Sequence, residues 1–101
     1  MTYAAAHDMS RKLQATLAEV LMRETKIARH VCSLPEISIM LIEASVMMVR
    51  TTAGTIGNSV DDDASVAGII DLTIEGIIEQ VRKSQADILP QVLAERRSRA
   101  A

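Results

Sequence analysis

Aromatic residues are almost absent from this 101-residue chain, which has no Phe, no Trp and a single Tyr at position 3. Glycine and proline are also scarce, at four and two residues, so the sequence lacks the frequent turns of an all-β sandwich or barrel. Disorder is disfavoured for a different reason, because 49% of the residues are hydrophobic and the formal net charge is only −2. The hydrophobic content is therefore aliphatic, and the length predicts one small helical domain over residues 1–101.

Three further absences bear on location and partners. The lone cysteine, Cys32, excludes an intramolecular disulfide and suits a reducing compartment. A sequence pI of about 5.6 gives no basic footprint for nucleic acid or an anionic membrane, so neither is an expected partner. The N-terminus lacks the apolar segment of a signal peptide, and the most apolar run, residues 37–49, is shorter than the ~20 residues that span a bilayer. We therefore expect a cytoplasmic protein.

Apolar residues recur at spacings of three and four, which predicts three long helices. The first covers residues 3–32, the second runs from 34 to about 53, and the third begins at the acidic residues 61–63 and runs to about 84. Ser33 and Glu36 form a capping box that starts the second helix, and Gly54, Gly57 and Asn58 are expected to end it.

The fold class predicted from this pattern is all-α. We expect an antiparallel bundle of the three long helices plus a short C-terminal helix, completed by homo-oligomerisation. The last segment, residues 84–97, contains Pro90, and the sequence leaves open whether it is a separate helix or a kinked continuation of the third one.

The second helix is the reason to expect an oligomer. It is apolar on almost every side, and a helix of that kind must be surrounded by other elements. A bundle of three helices covers too little of it, so the remaining cover is predicted to come from a second copy in a homodimer or higher oligomer. The predicted interface residues are Ile39, Ile42, Val46 and Val49.

Charged residues of the first helix suggest two more features. Glu24 lies within the apolar stripe of that helix, so we predict that it forms a buried ion pair with Arg50. On the opposite side, a set of basic residues is the predicted contact face for a protein partner. This set is Arg11, Arg23, Lys26 and Arg29.

The sequence offers no site for catalysis, a metal ion or a cofactor. His30 and Cys32 are two residues apart, so on a helix they point in different directions and do not suit zinc. The acidic residues 61–63 lack the following Gly and Glu of a calcium loop, and the Gly54 to Ser59 segment lacks the lysine of a phosphate loop. The chain is therefore predicted to be non-enzymatic.

The predicted function is that of a small helical interaction or regulatory module that self-associates and binds a protein partner. One alternative is a helix-turn-helix DNA-binding dimer, with residues 66–83 as the motif and Asp71 at its turn. Glu75 and Glu79 count against this alternative because they would face phosphates. A second alternative is a small-ligand binder at the dimer seam, although no aromatic ring is present there for stacking.

Overall fold

The computed structural model describes residues 3–100, and within that range it is all-helical, as the sequence predicts. The helices are α1 (Tyr3–Ala28), α2 (Leu34–Asn58) and α3 (Asp63–Ala100). The chain divides into two compact units, residues 1–44 and residues 45–101, with the boundary inside α2. The first unit contains α1 and the start of α2, and the second contains the rest of α2 and α3.

Helix α1 ends four residues earlier than the periodicity predicts. After Ala28 the chain forms a tight turn in which the N–H groups of His30 and Val31 donate to the carbonyls of Ile27 and Ala28, at 3.1 and 3.0 Å. Such short-range bonds tighten the last turn of a helix and satisfy its free carbonyls. The apolar pattern continues to position 31, but the Ser33 cap of the next helix requires the chain to leave the helical path first.

The predicted capping box at the start of α2 is confirmed. The backbone N–H of Ser33 donates to Glu36 Oε1 at 2.9 Å, and the Glu36 N–H donates to Ser33 Oγ at 3.4 Å. Hydrogen bonding to Ser33, mainly to its backbone N–H and then to its hydroxyl, holds the pKa of the Glu36 carboxyl below its usual value. The carboxylate also lies at the positive end of the helix dipole.

The helix does not stop near residue 53 but continues through Gly54 and Gly57 to Asn58, the last of the three residues expected to end it. Neither glycine has a positive φ, so neither acts as a C-terminal cap. Gly57 serves close packing instead: a Cβ atom there would lie 3.1 Å from Ile70 Cγ1 and 3.6 Å from Val66 Cγ1 on α3. The missing side chain therefore lets α3 approach α2, whereas a Cβ at Gly54 would meet no atom within 4 Å.

Asp62 is the residue of the acidic run that caps α3. Its Oδ1 accepts from the backbone N–H of Ala64 at 3.1 Å, and its Oδ2 accepts from the Ser65 hydroxyl at 2.7 Å. The Ser65 hydroxyl and, to a smaller extent, the Ala64 N–H hold the pKa of this carboxyl below its usual value. The predicted role of residues 61–63 as a helix start is thus confirmed, and one of the three provides the cap.

The predicted short fourth helix is wrong, because α3 runs for 38 residues and includes Pro90 in its interior. Proline removes one helical hydrogen bond and disfavours the helix by roughly 3 kcal/mol. The segment around it is rich in Ala, Leu, Gln, Glu and Arg, which are good helix formers, and it contains no glycine or asparagine to stop the helix.

The same continuity corrects the helix-turn-helix prediction. Residues 66–83 lie inside α3 without a break, and Asp71 occupies an ordinary helical position instead of a turn. The amphipathic pattern of this segment therefore belongs to a single helix. A motif that needs two short helices at an angle is absent from it.

Few side chains are buried within residues 3–100. The buried hydrophobic residues are Ala28, Ile37 and Ala53, and Ile37 is the one large side chain among them. In the second unit, Gly57 is also buried, and a row on α3 from Val66 to Ile77 is half-buried. Each unit therefore has a thin core made of small residues and the inner edges of aliphatic side chains.

The two glycines of α2 make a matched pair for testing the approach of α3. We expect Gly54→Ala to raise the free energy of unfolding by up to about 1 kcal/mol, because alanine favours a helix and the new methyl group meets open space. Gly57→Ala gains the same preference but crowds Ile70, so it should be less stable than Gly54→Ala by about 1 kcal/mol or more. Urea unfolding followed by circular dichroism measures both; equal stabilisation would show that the approach at Gly57 is not tight.

The two caps predict an acid-sensitive fold. Glu36 and Asp62 have pKa values lowered in the folded state, so their stabilisation is complete above their unfolded values of 4.5 and 3.8 and is lost as the pH falls through the lower folded values. We expect the melting temperature to fall as the pH is lowered from 5 toward about 2.

The matched variant for this prediction is Glu36→Gln with Asp62→Asn, which keeps oxygen acceptors at both caps but removes their titration. Its melting temperature should fall less over the same pH range, at equal protein concentration. An unchanged acid dependence in this variant would contradict the assignment of the effect to the caps.

Candidate interaction surface

Exposed aliphatic side chains are the dominant surface feature of residues 3–100. Leu13 on α1, Ile42 on α2 and Leu89 on α3 are 57%, 63% and 65% exposed, and they represent a larger set distributed over all three helices. Single exposed apolar residues are common on soluble proteins, whereas rows of them at helical spacing mark surfaces that bind another molecule. The candidate site is therefore sought on this exposed apolar surface.

The α2 face consists of the four predicted interface residues, Ile39, Ile42, Val46 and Val49. Their spacing of three, four and three residues is the spacing of a helical seam that packs on another helix. Ile39, Ile42 and Val46 are 57%, 63% and 53% exposed, and Val49 is half-buried. Three of the four side chains are thus available to another molecule, and whether a second copy covers them stays a prediction.

Hydroxyl groups add little polarity to α2 because they bond to their own helix. Ser38 donates to the carbonyl of Leu34 at 3.1 Å, and Thr52 and Thr55 donate to the carbonyls four residues before them at 2.8 Å. A hydroxyl used in this way has its one donor occupied and can only accept from an outside partner. The helix therefore presents a more apolar surface than its Ser and Thr content suggests.

A shallow groove adjoins the α2 face in the second unit. It has a volume of about 400 Å³ and is bordered by Val49 of α2 and by a row of α3 residues. On α3 the row continues beyond the groove as the α3 stripe, in which the exposed fractions lie between 42% and 65%. The α3 stripe consists of Ile78, Val81, Ile88, Leu89, Val92 and Leu93.

The α3 stripe is not among the interface residues predicted from the sequence. The signal was present, because apolar residues keep the same spacing on both sides of Pro90. Because Pro90 is a possible helix boundary, the sequence pattern assigns the apolar residues before and after it to two separate helical segments.

A second concave region lies in the first unit, with a volume of about 620 Å³. Its lining includes the half-buried Cys32, the Glu36 cap and Ile39, which is also part of the α2 face. Within residues 3–100, no group of three His, Cys, Asp or Glu side chains is placed to hold a metal ion. The region is a shallow hollow beside the start of α2, and its lining also includes the carboxylate of Glu43.

Glu24 is not buried in the single chain. Its side chain is 53% exposed, and Oε1 lies 3.4 Å from Nε of the neighbouring Arg23. Glu24 belongs to the first unit and Arg50, also exposed, to the second. The ion pair predicted between them stays a prediction, and the burial predicted for Glu24 is not found without a partner.

The predicted basic face on α1 is exposed at every position. Arg11 lies 3.6 Å from Asp8, and Arg23 contacts Glu24 as described above, while Lys26 and Arg29 are exposed near the end of the helix. Solvent-exposed pairs of this kind contribute little to stability, with a typical value of about 0–1 kcal/mol. Separation of these pairs would therefore cost little free energy.

Helix α2 also has the length and composition of a membrane-spanning segment, with a mean hydropathy of 1.3 over its most apolar 18 residues, of which 6% are buried. The core helix of a soluble protein meets the same criteria. Glu43 and Arg50 stand inside this helix, and each charge at the centre of a bilayer costs roughly 2.5–3.5 kcal/mol.

Comparison with known proteins leaves the function to be argued from these surfaces. No family model matches the chain, and neither a curated protein nor a solved structure is significantly similar to it.

Proposed function

We propose that this chain is a non-enzymatic, self-associating helical module of the cytoplasm that binds a protein partner. The observation that carries the proposal is the mismatch between its aliphatic content and its core. Almost half of the residues are hydrophobic, yet among residues 3–100 Ile37 is the one large hydrophobic side chain that is buried. Burial of apolar area stabilises a fold by roughly 25 cal/mol per Å², so a second copy supplies stability that one chain lacks.

Self-association through the α2 face accounts for its spacing and for its exposure. A two-fold axis lets the same residues of both copies pack on each other, which is the commonest form of a homo-oligomer. The carboxylate of Glu36 is already used in a cap, so Glu43 and Arg50 are the charges of α2 that flank such an interface. Charges at the edge of an apolar seam set the pairing and the register of the helices.

The first test compares two lysine substitutions on the same helix. Ile42→Lys places a charge on the α2 face and should raise the dimer dissociation constant by about a hundredfold or more, since a buried unpaired ammonium is costly. Met47→Lys is the control, because Met47 is 56% exposed but points about 140° away from Ile42 around the helix axis. Light scattering on detergent-free protein gives the mass of each.

The proposal fails if the wild-type chain is a monomer at micromolar concentration. It also fails if the chain is recovered only in detergent, which would favour a membrane role for α2. Equal weakening by both substitutions would remove the α2 face from the interface.

The partner-binding part of the proposal rests on the basic face of α1. Arg11, Arg23, Lys26 and Arg29 carry positive charge on the side opposite the apolar stripe, which suits an acidic protein surface.

Reversal of Lys26 and Arg29 to Glu should abolish capture of a partner from the native cell extract without changing the mass of the oligomer. Reversal of Lys83 and Arg97 to Glu is the matched control on α3, because these two side chains contact their own helix. If the two double variants capture the same proteins as the wild type, the α1 face is not the contact surface.

A further inference from the structure

We propose that two copies of this chain pair through the α3 stripe in an antiparallel orientation, with the two-fold axis at Gln85. This inference rests on the self-association proposed above and adds the second surface and the direction of pairing. It is carried by the order of charges along α3 and by the groove beside Val49.

The charges of α3 are divided between its two ends. From residue 63 to residue 79 the helix carries acidic groups and no basic one, and from residue 82 to its end five of its seven charged groups are basic. Glu79 and Lys83 lie 3.1 Å apart and pair with each other, and Arg97 Nε donates to the carbonyl of Leu93 at 3.3 Å. Asp71 and Glu75 near one end and Arg96 and Arg99 at the other are therefore the groups available to a partner.

These charges fit a second copy of α3 in one direction only. In an antiparallel pair centred on Gln85, Glu95 of the other copy comes level with Glu75 but lies on the opposite side of the stripe. Arg96, one residue further along, lies on the same side as Glu75, and the two-fold axis repeats this contact. In a parallel pair each of these side chains would face its own copy, and like charges placed together oppose association. The residues that border the α3 stripe thus select a second copy that runs the opposite way.

The apolar side chains agree with the same alignment. Around Gln85, Ile78 of one copy comes level with Val92 of the other, and Val81 comes level with Leu89. All four are between 42% and 65% exposed in the single chain. The centre of the pair falls at the groove, whose lining includes Val49, Val81, Arg82 and Gln85, so the α3 stripe is continuous with the predicted α2 face.

Cross-linking through a new cysteine tests the alignment. In a Cys32→Ala background, Gln85→Cys places the two thiols next to each other across the axis, and mild oxidation should give a disulfide dimer in most of the protein. Val92→Cys is the matched control, because its two copies would lie about 21 Å apart in the antiparallel pair but side by side in a parallel one. Circular dichroism confirms that each variant is folded.

Charge exchange tests the orientation without a cross-link. Glu75→Arg should raise the dimer dissociation constant about tenfold, because it reverses two symmetric exposed pairs at once. Addition of Arg96→Glu restores the opposite charges across the interface, so the double variant should regain the wild-type dissociation constant. A purely local effect of Glu75→Arg would not be rescued by a substitution 21 residues away.

The outcomes separate this inference from the proposed function. A dimer by mass that cross-links at position 85 and is rescued by the double variant supports both. A dimer that cross-links at position 92, or at neither position, overturns the antiparallel α3 pair but leaves self-association standing. A monomer by mass overturns both.

Discussion

The constraint on which the rest of the structure depends is that its helices carry more aliphatic surface than they cover in one another. The second unit shows this most clearly. Gly57 brings α3 within contact of α2, and the half-buried row of α3 ends near Ile77. Beyond that point α3 continues for more than twenty residues with exposed apolar side chains at regular spacing. Most of the stability of a helix in a protein comes from packing its apolar face, and this part of α3 has no such packing in the single chain.

The absence of aromatic residues sharpens the same constraint. A single Phe or Trp buries 150–250 Å² and can supply much of the core of a small domain. This chain must rely on Ile, Val, Leu and Met, whose smaller area per residue has to be collected over long stretches of helix. Long helices then bring apolar rows to the surface, where the proposed association of copies would cover them.

Helix starts were predictable from the sequence, and helix ends were not. The starts of α2 and α3 depend on side chains that cap free N–H groups, and Ser33, Glu36 and Asp62 have the chemistry for this role wherever they occur before a helix. The end of α2 was misplaced because Gly54 and Gly57 have two uses in helical proteins. Glycine can cap a helix in a left-handed conformation, or it can admit a neighbouring helix, and only the packing of Ile70 distinguishes the two.

The candidate surface was predictable only where no proline or glycine interrupts the apolar pattern. The α2 face could be found because its four residues lie within eleven positions of one another and no proline or glycine interrupts them. The α3 stripe crosses Pro90, which is typical of a boundary in sequence but is accommodated in the middle of a long helix here. Glu24 was expected to be buried because its position lies in an apolar stripe, yet that stripe is itself open in the single chain.

An exposed apolar surface also favours aggregation, which the charges of α3 oppose. Rows of exposed Ile, Leu and Val favour unlimited association, because an apolar contact has no preferred direction. Separation of acidic and basic groups along α3 supplies a direction, and antiparallel pairing satisfies both ends of both helices at the same time. A contact made by the same patch on both copies is closed, so no further copy can join at that patch. In the antiparallel pair proposed above, the charge order of α3 would thus limit association at this patch to two copies.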